Sequence, residues 1–133
     1  MDKNEFQSLL RMAKSFYELD HDRSDFWRGF QRGLRRLYHG ENFGTVEEHE
    51  KFLNCRDGEY RKQLQAGYRA GFYRDDIQIN GRDDIQPFRR LLAWSVSDLA
   101  EAAAVSPRTV EGWEQGRPVS EPALQLIRKY LMI

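Results

Sequence analysis

The sequence predicts an all-α protein built in two parts. Apolar residues recur three and four positions apart along most of the 133 residues, the mark of amphipathic helices. Helix-start residues and Gly or Asn stop signals punctuate those patterns at short intervals. Hydrophobic residues make up 40% of the chain, enough for a core and too many for global disorder. This length suits one domain or two small ones. Residues 1–75 read as a four-helix unit, 76–83 as a polar linker and 84–133 as a second helical bundle.

The first helix is expected over Glu5 to Leu19, with Phe6, Leu9, Leu10, Ala13, Phe16 and Tyr17 on one stripe. Asp20-His21-Asp22 ends it. The second runs from about Asp25 to His39, burying Phe26, Phe30, Leu34 and Leu37, with Trp27 and Tyr38 on the flank. Arg28, Arg32, Arg35 and Arg36 cluster on the opposite face. They are either a solvated face paired with Glu47, Glu48 and Glu50 or a phosphate-contacting stripe. Thr45-Val46-Glu47-Glu48 is a capping-box pattern that starts a short third helix, with Glu48 reaching back to the cap. Asp57-Gly58 is a break, and a fourth helix follows from about Glu59 to Tyr73.

Gly29-Phe30-Gln31-Arg32-Gly33-Leu34-Arg35-Arg36 in the second helix is similar to Gly67-Tyr68-Arg69-Ala70-Gly71-Phe72-Tyr73-Arg74 in the fourth. Each interior glycine costs a helix about 1 kcal/mol relative to alanine, so four of them imply close helix–helix approach. Close packing inside one bundle and a seam across a homodimer both satisfy this. Arg74-Asp75-Asp76-Ile77-Gln78 recurs as Arg82-Asp83-Asp84-Ile85-Gln86 around the turn signal Asn80-Gly81. Ile77 and Ile79 alternate, which leaves an edge strand open beside the linker reading. The second copy is expected to start a helix, capped by Asp83 or Asp84, with Pro87 in its first turn.

Composition narrows the chemistry. Lys plus Arg, 21, equals Asp plus Glu, 21, so net charge announces no polyanionic partner. Residues 85–133 carry six basic and five acidic side chains. Cys55 is the single cysteine, which excludes a disulfide within the chain and suits a reducing cytoplasm. With His21, His39 and His49 it forms no zinc spacing. A His49–Cys55 nucleophile pair is set aside, because a lone cysteine at a helix end ordinarily serves as a small apolar residue. No glycine-rich phosphate loop, signal-peptide core or membrane-length apolar run is present. No enzyme activity, metal or cofactor is expected.

The most informative stretch is Ser95 to Gly116, S-V-S-D-L-A-E-A-A-A-V-S-P-R-T-V-E-G-W-E-Q-G. It holds two short helical patterns around a tight break. Ser95 caps the first, which turns Leu99, Ala100 and Ala103 inward. Ser106 caps the second with Pro107 at its first position, where the missing N–H is harmless. Val110 and Trp113 point inward, and Gly116 ends the helix. Ile85, Phe88, Leu91 and Leu92 form a helix before the pair. Ser120 caps one after it, carrying Leu124, Ile127 and Leu131.

Residues 85–131 thereby resemble the phage-repressor-type (Xre/Cro-like) helix-turn-helix domain. The most specific segment is S-P-R-T-V-E-G-W-E-Q-G followed by R-P-V-S-E-P-A-L-Q-L-I. The resemblance implies that the helix opening at Ser106 enters the DNA major groove. Ser106, Pro107, Arg108, Thr109, Glu111 and Gly112 then face outward. Arg108 is the expected base reader, paired with guanine O6 and N7. Thr109 is expected against a phosphate or a thymine methyl, and Gly112 at a point of close approach. Gln115 and Arg117 are expected to clamp the DNA backbone, and Arg89 to pair with Glu114. The sequence departs from the pattern at Ala104, where the tight turn usually has Gly, and at Val96, where Gln is frequent. Glu111 adds a negative charge near the groove. The expected function is a cytoplasmic, sequence-specific DNA-binding regulator, acting as a homodimer on an inverted repeat. The alternative is an antitoxin-like or adaptor protein that holds a partner through residues 1–75.

Overall fold

The computed structural model describes residues 1–54 and 62–133. Cys55, the Asp57-Gly58 break and the expected start of the fourth helix at Glu59 lie outside the described residues. Among the described residues there are eight α-helices and no strand. None of these helices is long and apolar enough to cross a membrane. The chain divides into two compact units, Met1–Asp76 and Ile77–Ile133.

The first unit holds α1 (Lys3–Leu19), α2 (Ser24–His39), α3 (Val46–Asn54) and α4 (Lys62–Phe72). Asp2 caps α1, its Oδ1 accepting from the Glu5 N–H at 2.8 Å. Phe6, Leu9 and Ala13 of α1 are buried, while Tyr17 is exposed. Phe26, Phe30 and Leu34 of α2 are fully buried, and Trp27, expected on the flank, joins them. Its ring packs against Phe16, Phe26 and Phe30 with centroids 4.9–5.5 Å apart.

The glycines resolve into a crossing of α2 over α4 within one chain. A Cβ on Gly29 would lie 2.0 Å from the Leu64 carbonyl oxygen, and one on Gly67 would lie 1.9 Å from that of Phe26. Gly33 meets the Tyr68 oxygen at 2.1 Å, and Gly71 meets that of Phe30 at 2.5 Å. These contacts advance in the same sense along both helices, so α2 and α4 run parallel. They are also reciprocal: Gly29 is to Leu64 as Gly67 is to Phe26, and Gly33 is to Tyr68 as Gly71 is to Phe30. The similar segments are therefore related by a local two-fold axis. All four glycine faces are filled from inside the bundle, which removes the homodimer seam.

Three arginines fasten the return from α2 to α4. Arg36, expected on the exposed face, is buried and donates to the Phe43 carbonyl at 2.8 Å. Arg69 donates to the carbonyls of Phe52, at 3.1 Å, and Leu53 at the end of α3. Thr45 caps α3 by accepting from the Glu48 N–H at 3.1 Å. The Glu48 carboxylate does not complete a capping box; it accepts from Arg32 instead, at 2.8 Å. A charged guanidinium is a stronger donor than a backbone N–H.

The second unit holds α5 (Arg82–Leu91), α6 (Val96–Ala103), α7 (Pro107–Glu114) and α8 (Glu121–Leu131). Its core joins Ile85, Phe88 and Leu92 to Leu99, Val110, Trp113, Leu124, Ile127 and Leu131. Part of the expected linker belongs to this core. Ile77 and Ile79 are buried, and Arg128 of α8 donates to the Ile79 carbonyl at 2.9 Å. The start of α5 also differs from expectation. Gly81 precedes its first residue, and Pro87 lies inside the helix rather than in its first turn. Asp84 caps nothing in α5; its Oδ2 accepts from the Asn80 N–H at 2.8 Å and stabilises the preceding turn.

Because backbone opposes each glycine at the crossing, a methyl there cannot be absorbed by a side-chain shift. Gly67→Ala is expected to destabilise the protein by roughly 3 kcal/mol. Gly81→Ala, with open space around it, is expected to change stability by less than about 0.5 kcal/mol. Urea titrations followed by circular dichroism compare the two.

His49 gives a pH prediction. Its Nδ1 lies 2.7 Å from the Tyr68 hydroxyl. Burial, then the charge of Arg36, push its pKa below 6.5 against the opposing pull of Glu50. Burial of Tyr68 pushes its own pKa up to about 12, so the phenol stays protonated. As pH falls through 6.5 the unfolded chain takes up the imidazole proton before the folded chain does. This contribution to stability is present above 6.5 and is lost below it, toward the lower folded value. The wild-type unfolding midpoint should drop between roughly pH 7.5 and 5.5 by more than that of His49→Gln. An equal drop in both would show that His49 is not the group responsible.

Candidate nucleic-acid interface

The candidate surface is built by α6, α7 and the turns that end them. Ser95 opens α6 with a complete capping box. Its Oγ accepts from the Asp98 N–H at 3.1 Å, and Asp98 Oδ2 accepts from the Ser95 N–H at 2.8 Å. At the other end Ala104 takes the left-handed conformation, φ 56 and ψ 43. The Ala104 N–H then donates to the Glu101 carbonyl at 3.2 Å and the Val105 N–H to that of Ala100 at 2.9 Å. This paired closure reverses the chain within three residues. The small Ala100 is buried beside it.

Ser106 caps α7, its Oγ accepting from the Thr109 N–H at 3.2 Å, with Pro107 at the first helical position. The two hydroxyls of Ser106 and Thr109 are also 3.0 Å apart. Thr109 is therefore tied into the cap and half-buried. Val110 and Trp113 fix α7 to the core. Ser106, Pro107, Arg108, Glu111, Gln115 and Arg117 are exposed.

Gly112 is placed differently from the sequence expectation. It is buried, because the chain folds back after α7 at Gly116, with φ 116. The Arg117 N–H donates to the Gly112 carbonyl at 2.9 Å. A Cβ on Gly112 would lie 3.0 Å from Arg117 Cδ. The space above Gly112 thus holds the Arg117 side chain, and the two positions form one patch.

Arg89 and Glu114 meet as the resemblance implies. Arg89 Nε donates to Glu114 Oε1 at 2.8 Å, and its Nη1 donates to the Trp94 carbonyl at 3.0 Å. The side chains are 16% and 13% exposed, so this pair staples the end of α7 to α5. Arg82 is a contributor that local sequence pattern did not reveal. Its Nη1 donates to the Gly116 carbonyl at 2.8 Å, across 34 residues. Beside it Gln86, Pro87, Trp113 and Gln115 line a shallow cleft of about 400 Å³.

An L-residue in the left-handed region costs roughly 1–2 kcal/mol relative to glycine. Part of that is offset because glycine also loosens the unfolded chain. Ala104→Gly is accordingly expected to stabilise the protein by about 0.5–1 kcal/mol in a urea titration, with the exposed face of α7 unchanged.

No protein-family model, curated protein or solved structure matches the chain.

Proposed function

We propose that this chain is a cytoplasmic, sequence-specific DNA-binding regulator, with α7 as its major-groove reader. One observation carries the reading. α7 is anchored on one side by Val110 and Trp113, while its capped N-terminal turn presents Ser106, Pro107 and Arg108 to solvent. Small polar residues around one long cation suit a groove floor better than a protein interface, which ordinarily has aromatic anchors. The resemblance of residues 85–131 to Xre/Cro-like domains points the same way. Arg108 reads a base edge, and its own N–H in the first turn of α7 faces a phosphate. Gln115 and Arg117 hold the backbone after the helix. Glu111 either accepts from a cytosine amine or repels phosphate.

One eight-residue helix reads few base pairs, and six basic against five acidic residues in 85–133 supply little general attraction. Two copies on an inverted repeat supply what one lacks.

Selection of bound duplexes from a random pool tests this. The wild type should enrich a palindrome, and Arg108→Ala should lose that enrichment, at a cost of about 1–3 kcal/mol per guanine contact. No enrichment by the wild type, even at low salt, would overturn the reading.

A further inference from the structure

We propose that the first unit binds a small oligophosphate in a basic cleft formed by Lys14 of α1 and Arg28, Arg32 and Arg35 of α2. The cleft has a volume of about 740 Å³, within the range of small-molecule sites. Arg28 and Arg35 stand two helical turns apart, about 10 Å along the axis, with Arg32 between them. Two carboxylates share the cleft, Glu18 and Glu48. Glu48 is taken by Arg32, with Nε and Nη2 at 2.8 and 2.5 Å from one oxygen. That bond orients the middle guanidinium. Among the described residues no carboxylate pairs with Arg28 or Arg35, although Glu47 and Glu50 stand in the same unit. Burial, then the charge of Arg32, lower the pKa of Arg35, as expected of a half-buried cation beside another.

The local two-fold relation between α2 and α4 lets their two faces be compared. The positions of α4 equivalent to Arg28, Arg32 and Arg35 are Ala66, Ala70 and Tyr73. Ala66 and Ala70 are buried, whereas the matching face of α2 lies open and basic. The crossing glycines are common to both helices; these three cations are particular to α2. Three guanidinium groups in a row, one on each successive turn, fit phosphates in series. The concave form favours a compact chain of phosphates over a rigid duplex.

Isothermal titration of the full-length protein with sodium tripolyphosphate is the test. The wild type should bind one equivalent saturably. Arg28→Gln and Arg35→Gln should each weaken binding at least tenfold. Arg108→Ala and Arg90→Gln, in the second unit, should leave it unchanged, so the result is independent of DNA reading. Circular dichroism checks that each variant is folded, and exposed Arg28 guards against a folding defect at half-buried Arg35. No saturable heat, or equal affinity in wild type and both cleft variants, would overturn the proposal. So would displacement of tripolyphosphate by a random-sequence duplex from the Arg108→Ala protein, which would assign the cleft to a nucleic-acid backbone.

Discussion

The backbones of α2 and α4 touch, and the first unit is arranged around that contact. At Gly29 and Gly67 a carbonyl oxygen of the opposite helix sits where a side chain would begin, 2.0 and 1.9 Å from the Cβ position. Such approach brings Cα–H groups within reach of carbonyl oxygens. It also lets flanking side chains wrap both helices. Phe26, Phe30 and Leu34 close one side of the crossing, and Leu64 and Tyr68 the other. Membrane helices use the same spacing to associate. Here the outer faces are charged, and the contact is internal to one unit.

Parallel orientation has a further consequence. Two antiparallel helices need only a short turn, but parallel ones require the chain to travel back the full helix length. Among the described residues, α3 is the helix of that connection. It buries little of its own: Phe52 is the buried residue of α3, while Val46 is 54% exposed. Hydrogen bonding replaces apolar burial. Arg36 holds the Phe43 carbonyl, Arg69 holds the last carbonyls of α3, and Arg32 holds Glu48. Arg36, Arg69 and Arg32 thus serve the topology of the crossing, whereas Arg28 and Arg35 have no carboxylate partner among the described residues.

Local signals in the sequence identified the helices and misassigned several tertiary roles. Ser95, Ser106 and Ser120 cap α6, α7 and α8 because capping depends on residues three apart. The repeated glycines announced close approach, and only the fold could choose between an internal crossing and a seam between copies. Arg36 looked like a surface cation because its carbonyl acceptor lies in a loop whose path no periodicity describes. Ile77 and Ile79 looked like linker because two apolar residues in polar surroundings carry no helical period. Gly112 looked open because the residue covering it, Arg117, is brought there by a turn at Gly116. In the second unit each helix is followed within two residues by one with positive φ: Ala93, Ala104, Gly116 and Met132. Only Gly116 advertises this; at the others tertiary packing overrides the preference for glycine.

Net charge conceals how the cations are used. A guanidinium that donates to a carbonyl keeps its charge uncompensated, whereas one paired with a carboxylate does not. Arg36 of the first unit donates to a backbone carbonyl. Arg32 and Arg89 are matched by Glu48 and Glu114. Balanced totals of 21 and 21 therefore coexist with local positive fields. On the proposed reading, one such field lies at Arg108 and Arg117 on the second unit and another in the cleft of the first. Both take phosphate by the same chemistry, and they differ in shape: one is an exposed helix face suited to a groove, the other a concavity suited to a small anion.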